Sequence, residues 1–357
     1  MAEQPERTGD HSLFWIKKAL ESKKSGQLIR RLVVKEASFS RNFSTNDYLG
    51  LRFDSRVHEA GIASASRFGS GGGSSPAVSG WSAIHEELCA TISEWKKTEK
   101  SLLFSSGFAA NQSVIPALVE ESDAVYLDRL AHACLVDGAR LSKAKLRVFP
   151  HNDAKRLREI LVRDQGRFRR RLIVTESVFS MDGDQAPLEE LADLASQFNC
   201  MTVVDEAHAT GVYGEQGGGL VEALGLSTNP NLVRLGTLSK AIGTQGGFVS
   251  GSSELIDWLV QSARGWIYST ALSPYLAGAA LKSIQIIQQE PERRRAVHET
   301  ARNLRKMLVE LGLEVKPSHG PIIPVMIGDP AKTAEIGQKL ADFGFLVGAI
   351  RPPIVPA

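Results

Sequence analysis

The chain reads as an α/β protein with one mainly parallel central sheet, flanking helices and a smaller C-terminal α+β domain. Two observations predict this. Short β-rich runs at 101–104, 124–127, 172–175, 202–205, 232–235 and 247–250 alternate with segments of helical spacing. Helices that connect successive strands in this way come to cover both faces of a parallel sheet. The second observation is size: 357 residues, 43% hydrophobic and 23% charged, suit one large domain with a smaller companion.

The elements follow in chain order. Residues 11–32 have helical spacing with many Lys and Arg, and residues 43–50 read as a short strand and a turn. Together they predict an arm over 1–55 that wraps the body. The strand–helix alternation assigns 56–290 to the large domain. From Pro291 a charged helical pattern, followed by the apolar run 322–327, begins a small domain over 291–357.

Composition excludes some function classes. Against a net charge of +2, the only dense basic stretch is Gly166-Arg167-Phe168-Arg169-Arg170-Arg171, which reads as a solvated helix-to-strand loop. A nucleic-acid partner is therefore not expected. The three cysteines, Cys89, Cys134 and Cys200, lack metal-ligand spacing and suit a reducing cytosol. The polar N-terminus does not resemble a secretory signal, and no stretch approaches the roughly 20 apolar residues of a membrane span.

The chemistry concentrates in Gly236-Thr237-Leu238-Ser239-Lys240 and the earlier Val203-Val204-Asp205-Glu206-Ala207-His208. A lysine amine, an aspartate after an apolar run and a histidine are the groups that pyridoxal phosphate (PLP) requires. The lysine forms the imine, the carboxylate keeps the pyridine nitrogen protonated, and polar groups surround the phenolic oxygen and the phosphate. Asp205 follows the β-prone stretch 201–204, so it is expected at the carboxyl end of a buried parallel strand, where open α/β sheets bind ligands. Lys240 must also act as a base, which needs its pKa lowered by desolvation.

Two small-residue segments compete for the phosphate. The run 69–75, Gly-Ser-Gly-Gly-Gly-Ser-Ser, lacks a preceding strand and the Walker lysine, and reads as a loop at the site entrance. The run 105–111 follows a strand and opens a helix, whose first backbone N–H groups bind phosphate. Thr237 is placed to add a hydroxyl.

Five motifs then carry a family resemblance from about residue 46 to 356. They are Asn46-Asp47-Tyr48-Leu49-Gly50, Ser106-Gly107-Phe108-Ala109-Ala110-Asn111, the stretch 175–184, Asp205-Glu206-Ala207-His208 and Thr237-Leu238-Ser239-Lys240. The chain resembles the α-oxoamine synthases, fold-type I PLP enzymes that join an amino acid to an acyl thioester and release the thiol and CO2. The segments 349–353 and 267–270 resemble the biotin-pathway branch, which uses L-alanine and a pimeloyl thioester carried by CoA or acyl carrier protein. The glycine-using and long-chain acyl branches share the PLP motifs and stay open as alternatives.

The resemblance implies roles. Lys240 holds the cofactor, Asp205 pairs with its ring nitrogen, and His132 stacks on the ring and touches substrate. His208 and Ser180 bond the phenolic oxygen, while Gly107, Phe108 and Thr237 serve the phosphate. Asn46 and Glu176 support these groups, and Arg30 and Ile354 contact substrate. The resemblance also implies a cytoplasmic homodimer with sites built from both subunits, and gives no role to a metal.

Three departures from the family pattern stand out. The Gly-rich loop is longer, Ile354 replaces a threonine, and the sequence stops at Ala357 where relatives continue through Gly-Thr-x-Arg-Leu-Arg. The last leads to the expectation of a shortened small domain, weak alanine binding, and a second reading as a PLP-binding but weakly active truncated or scaffold protein.

Overall fold

The computed structural model describes residues 13–25, 29, 41–352 and 355. They divide between two compact units, Asn46–Val325 and a second drawn from Met1–Thr45 with Met326–Ala357. In the second unit, α1 (Phe14–Ser25) and α13 (Pro330–Asp342) accompany a parallel bridge between Asn42 and Leu346, beside which Phe43 and Phe345 stack.

The larger unit holds seven strands: β1 (Lys100–Phe104), β2 (Ala124–Asp128), β3 (Lys145–Phe149), β4 (Arg171–Glu176), β5 (Met201–Asp205), β6 (Leu232–Thr237) and β7 (Gly247–Gly251). They form one sheet in the order β1-β7-β6-β5-β4-β2-β3. Only β7 runs against the others. The helices of this unit are α2 (Ser55–Phe68), α3 (Ala83–Lys96), α4 (Gly107–Leu118), α5 (Ala133–Leu141), α6 (Ala154–Arg163), α7 (Leu188–Gln197), α8 (Leu220–Ala223), α9 (Ser253–Ser262), α10 (Arg264–Ile267), α11 (Pro274–Gln289) and α12 (Pro291–Glu310).

The sheet is apolar on both faces. Consecutive residues such as Val203 and Val204, or Val125 and Tyr126, enter separate core clusters on its two sides. This is why the central strands read as continuous hydrophobic runs rather than alternating ones. Strand β3 is the exception: at the sheet edge it carries Lys145 and Arg147, and only Phe149 is buried. Charge protects an open edge from pairing with another chain, and it also hides the strand from a hydrophobic reading of the sequence.

Because β1, β2, β4, β5 and β6 are parallel, their carboxyl ends lie along one edge of the sheet. The segments that follow them carry Gly107, His132, Ser180, His208 and Lys240. Helix α12 bears out the charged pattern after Pro291 and belongs to the Asn46–Val325 unit, where Arg294 and Ala301 are buried. Among the described residues no helix is long and apolar enough to cross a membrane.

Candidate active site

Asp205 ends β5 and is 6% exposed. Asn111 of α4 donates its side-chain amide to Asp205 Oδ2 at 2.7 Å, and the Ala207 N–H donates to Oδ1 at 2.8 Å. Two donors on a buried carboxylate fix its direction. One strand over, Glu176 ends β4 in register with Asp205 and is 3% exposed. Its Oε1 accepts the backbone N–H of His132 at 2.7 Å. Burial, then the neighbouring Asp205 charge, push the Glu176 carboxyl up to about 8.

Lys240 follows β6 through Leu238 and Ser239. Its Nζ lies 2.8 Å from His208 Nε2, and His208 Nδ1 lies 2.7 Å from the Tyr48 hydroxyl. Tyr48 in turn donates to Asn46 Oδ1 at 3.3 Å. Burial and the adjacent Lys240 hold His208 well below the ordinary imidazole range, so it is neutral. A neutral ring that donates from Nδ1 to Tyr48 leaves Nε2 to accept from Lys240. Burial lowers the Lys240 pKa, against the opposing pull of Asp205 and Glu176. Burial raises that of Tyr48, keeping the phenol protonated.

His132 caps α5, with its Nδ1 2.9 Å from Cys134 Sγ. Burial lowers its pKa, with Asp205 pulling upward and Lys240 downward. Cys134 also meets the Asn111 amide at 3.3 Å, and burial followed by the Asp205 and Glu176 charges pushes its thiol up to about 12. It is a packed, protonated thiol, not a nucleophile.

Helix α4 opens at Gly107. Ser106 Oγ accepts the Ala109 N–H at 3.0 Å, and the Gly107 and Phe108 amides lie in the first turn, where the helix supplies no acceptor. A Cβ at Gly107 would sit 3.1 Å from Thr237 Cβ and 3.3 Å from its hydroxyl. Glycine therefore lets the helix N-terminus close on Thr237. At Gly247 on β7 a Cβ would come within 2.4 Å of the Ser106 carbonyl, so a second glycine allows the same approach. Thr237 Oγ1 donates to the Gly246 carbonyl at 3.0 Å and lies 2.7 Å from Ser239 Oγ.

The structure thus brings Lys240, His208 and Asn46 into one hydrogen-bonded chain, Asp205, Glu176 and His132 onto adjacent strand ends, and Gly107 against Thr237. Ser180, in the turn after β4, makes no direct hydrogen bond to Lys240 or His208 among the described residues. Arg30 and Ile354 lie outside the described residues. The motif reading left three groups without a role: Asn111 and Tyr48, both inside quoted motifs, and Cys134, two residues from His132.

These residues fit PLP. A depressed amine, a buried carboxylate with fixed direction, and a helix N-terminus closed on a hydroxyl match its aldehyde, ring nitrogen and phosphate.

The chain belongs to the class I and II aminotransferase family, whose model matches residues 41–357. Among curated relatives, 8-amino-7-oxononanoate synthase of Alkalilimnicola ehrlichii is 46% identical over 314 residues, covering 88% of this chain and 80% of the relative. The solved 8-amino-7-oxononanoate synthase of Francisella tularensis has a TM-score of 0.77 at 27% identity, covering 88% and 89% of the two chains. An SPT structure with PLP has a TM-score of 0.88 at 29% identity, covering 97% of this chain and 90% of that one.

Proposed function

We propose that the chain is a PLP-dependent acyltransferase that condenses L-alanine with a pimeloyl thioester, releasing CO2 and thiol, to give 8-amino-7-oxononanoate for biotin synthesis. The observation that carries this reading is a buried amine on a neutral histidine, Lys240 on His208, beside the directed carboxylate of Asp205. The relatives' shared name supports the particular reaction.

In this reading PLP would be held by Lys240 through its aldehyde, by Asp205 at the ring nitrogen, and by Thr237 with the Gly107 and Phe108 amides at the phosphate. His132 would lie over the ring, and His208 and Ser180 would face the phenolic oxygen. Glu176 and Asn46 would hold His132 and Tyr48 in place, while Arg30 and Ile354 would contact substrate. Bound there, PLP supplies an electron sink for negative charge at the alanine Cα.

The protein's own groups do the rest. Asp205 opposes the positive charge at the ring nitrogen from a preorganised, buried position, where such an interaction is strongest. Lys240, whose pKa burial lowers, takes the Cα proton on Nζ and returns it to product. His208 accepts a hydrogen bond from that amine and, being neutral, adds no charge to repel a proton there. Glu176 anchors the His132 backbone, so that the imidazole is held at one depth.

Two further parts belong to this proposal. The thioester is carried by CoA or an acyl carrier protein, and the active form is a two-fold dimer. Three buried, unpaired thiols support a reducing, cytoplasmic setting.

The test is thiol and CO2 release by purified holoenzyme. The reading expects release to require both L-alanine and a pimeloyl thioester. Equal release with glycine and a short acyl thioester would select a glycine-using branch instead. A cofactor band without turnover on any pair would select the inactive scaffold.

A further inference from the structure

His151 lies outside this constellation yet joins two of the loops that carry it. It follows β3, and its Nδ1 is 2.9 Å from Asp128 Oδ1 while its Nε2 is 2.7 Å from Asp184 Oδ2. Asp128 ends β2, and the same Oδ1 accepts the Leu130 N–H at 2.8 Å, shaping the turn that leads to His132. Asp184 closes the turn that contains Ser180: the Phe179 N–H donates to the Asp184 carbonyl at 3.0 Å, and the Gly183 N–H to the Phe179 carbonyl at 2.9 Å.

Asn152 doubles the link. Its backbone adopts φ 55, the left-handed region that asparagine tolerates better than most residues. There its N–H donates to Asp128 Oδ2 at 2.9 Å and its side-chain amide to Asp184 Oδ2 at 2.9 Å and the Gln185 carbonyl at 3.1 Å. The His151 ring stands edge-on to Phe179, with centroids 4.4 Å apart, so its plane is also fixed.

We propose that His151 is a positioning residue for the reaction, a clamp that holds the loop bearing His132 and the loop bearing Ser180 in one fixed relation around the cofactor. It rests on the cofactor-site reading above, which places His132 and Ser180 against the same ring. An imidazole donates from both nitrogens only as the cation, and two carboxylate acceptors require that form. Burial opposes the charge, but Asp128 and Asp184 outweigh it and lift His151 to about 9, so the doubly donating form is the one present at neutral pH.

The test uses holoenzyme variants His151→Gln, Asp184→Asn and the pair. Glutamine cannot replace both imidazolium contacts, and Asp184→Asn removes one of the two charges that hold the imidazolium while leaving Asp128. The readouts are bound PLP, its visible circular dichroism, and kcat and alanine KM from thiol release.

The proposal expects full PLP occupancy, an altered visible spectrum, kcat lower by about ten- to a hundredfold, and alanine KM within about threefold of the parent. It also expects the pair to be no worse than the more damaging single change, because both cut one clamp. A parental spectrum and kcat in the two single variants, even with a lower Tm, would overturn the proposal and leave His151 a stabilising residue only. So would fully additive losses in the pair. If His151→Gln fails to fold, Asp184→Asn alone decides between these outcomes. If the parent releases no thiol, the proposed reaction fails, while the spectrum still decides the clamp.

Discussion

A lysine is useful as a base only when neutral, and a carboxylate opposite a ring nitrogen only when charged. The two residues share one buried site but have different partners. Lys240 meets a neutral ring nitrogen, whereas Asp205 accepts two N–H donors. Asp205→Asn keeps the shape and removes the charge, so it is expected to bind PLP but to turn over about 100-fold or more slowly; a near-parental rate would reduce Asp205 to a strand-end residue. Glu176 gives a pH prediction. Its folded-state pKa of about 8 stands above the ordinary 4.5, so the folded protein keeps this proton longer than the unfolded chain does. That part of the stability is complete at low pH and is lost as pH rises through about 8. Denaturant unfolding of the apoprotein at pH 5 and pH 8 should show a smaller fall for Glu176→Gln than for the parent, and equal falls would place the titration elsewhere.

At the scale of elements, the sheet and the end of it that binds were legible because buried parallel strands are runs of β-prone apolar residues that stop at a polar group. Asp205 and Thr237 both end strands in this way. Strand β3 was not legible, since its charged side chains serve an exposed edge. Nor were the buried polar pairings, because their partners are distant in sequence. Lys96 at the end of α3 reaches Glu206 Oε2 at 3.2 Å, Thr210 Oγ1 at 2.8 Å and the Gly218 carbonyl at 2.7 Å, and both charged side chains are fully buried. The Glu206 carboxylate also accepts the Val221 N–H at 3.0 Å, so this network fixes the segment between Asp205 and His208. Lys96→Ala would strand the Glu206 charge and is expected to cost about 3–5 kcal/mol, measurable by denaturant unfolding. A loss below about 1 kcal/mol would show that the pair is as weak as a surface one.

For the whole molecule, the larger unit leaves apolar groups in solvent where α10 packs on the turn 76–80. Val78 is 78% exposed and Tyr268, just after α10, is 70% exposed. An isologous dimer would cover such a patch on both subunits at once. Light scattering should therefore give twice the chain mass, and the paired change Val78→Asp with Tyr268→Asp should shift it toward the monomer. A monomeric, fully active parent would remove the shared-site part of the proposal. At this scale the sequence was informative about fold and family, because motifs spread over the chain converge on one edge of a single sheet. Arg30 and Ile354 rest on the family pattern alone, since both fall outside the described residues.

Every role proposed for the site depends on Lys240 holding the cofactor. Borohydride reduction of the holoprotein followed by peptide mapping checks this. The reduced cofactor's mass is expected on the peptide containing Lys240, with no reducible cofactor adduct in Lys240→Ala. Cofactor mass on another lysine, or a reducible adduct that survives in the variant, would contradict it.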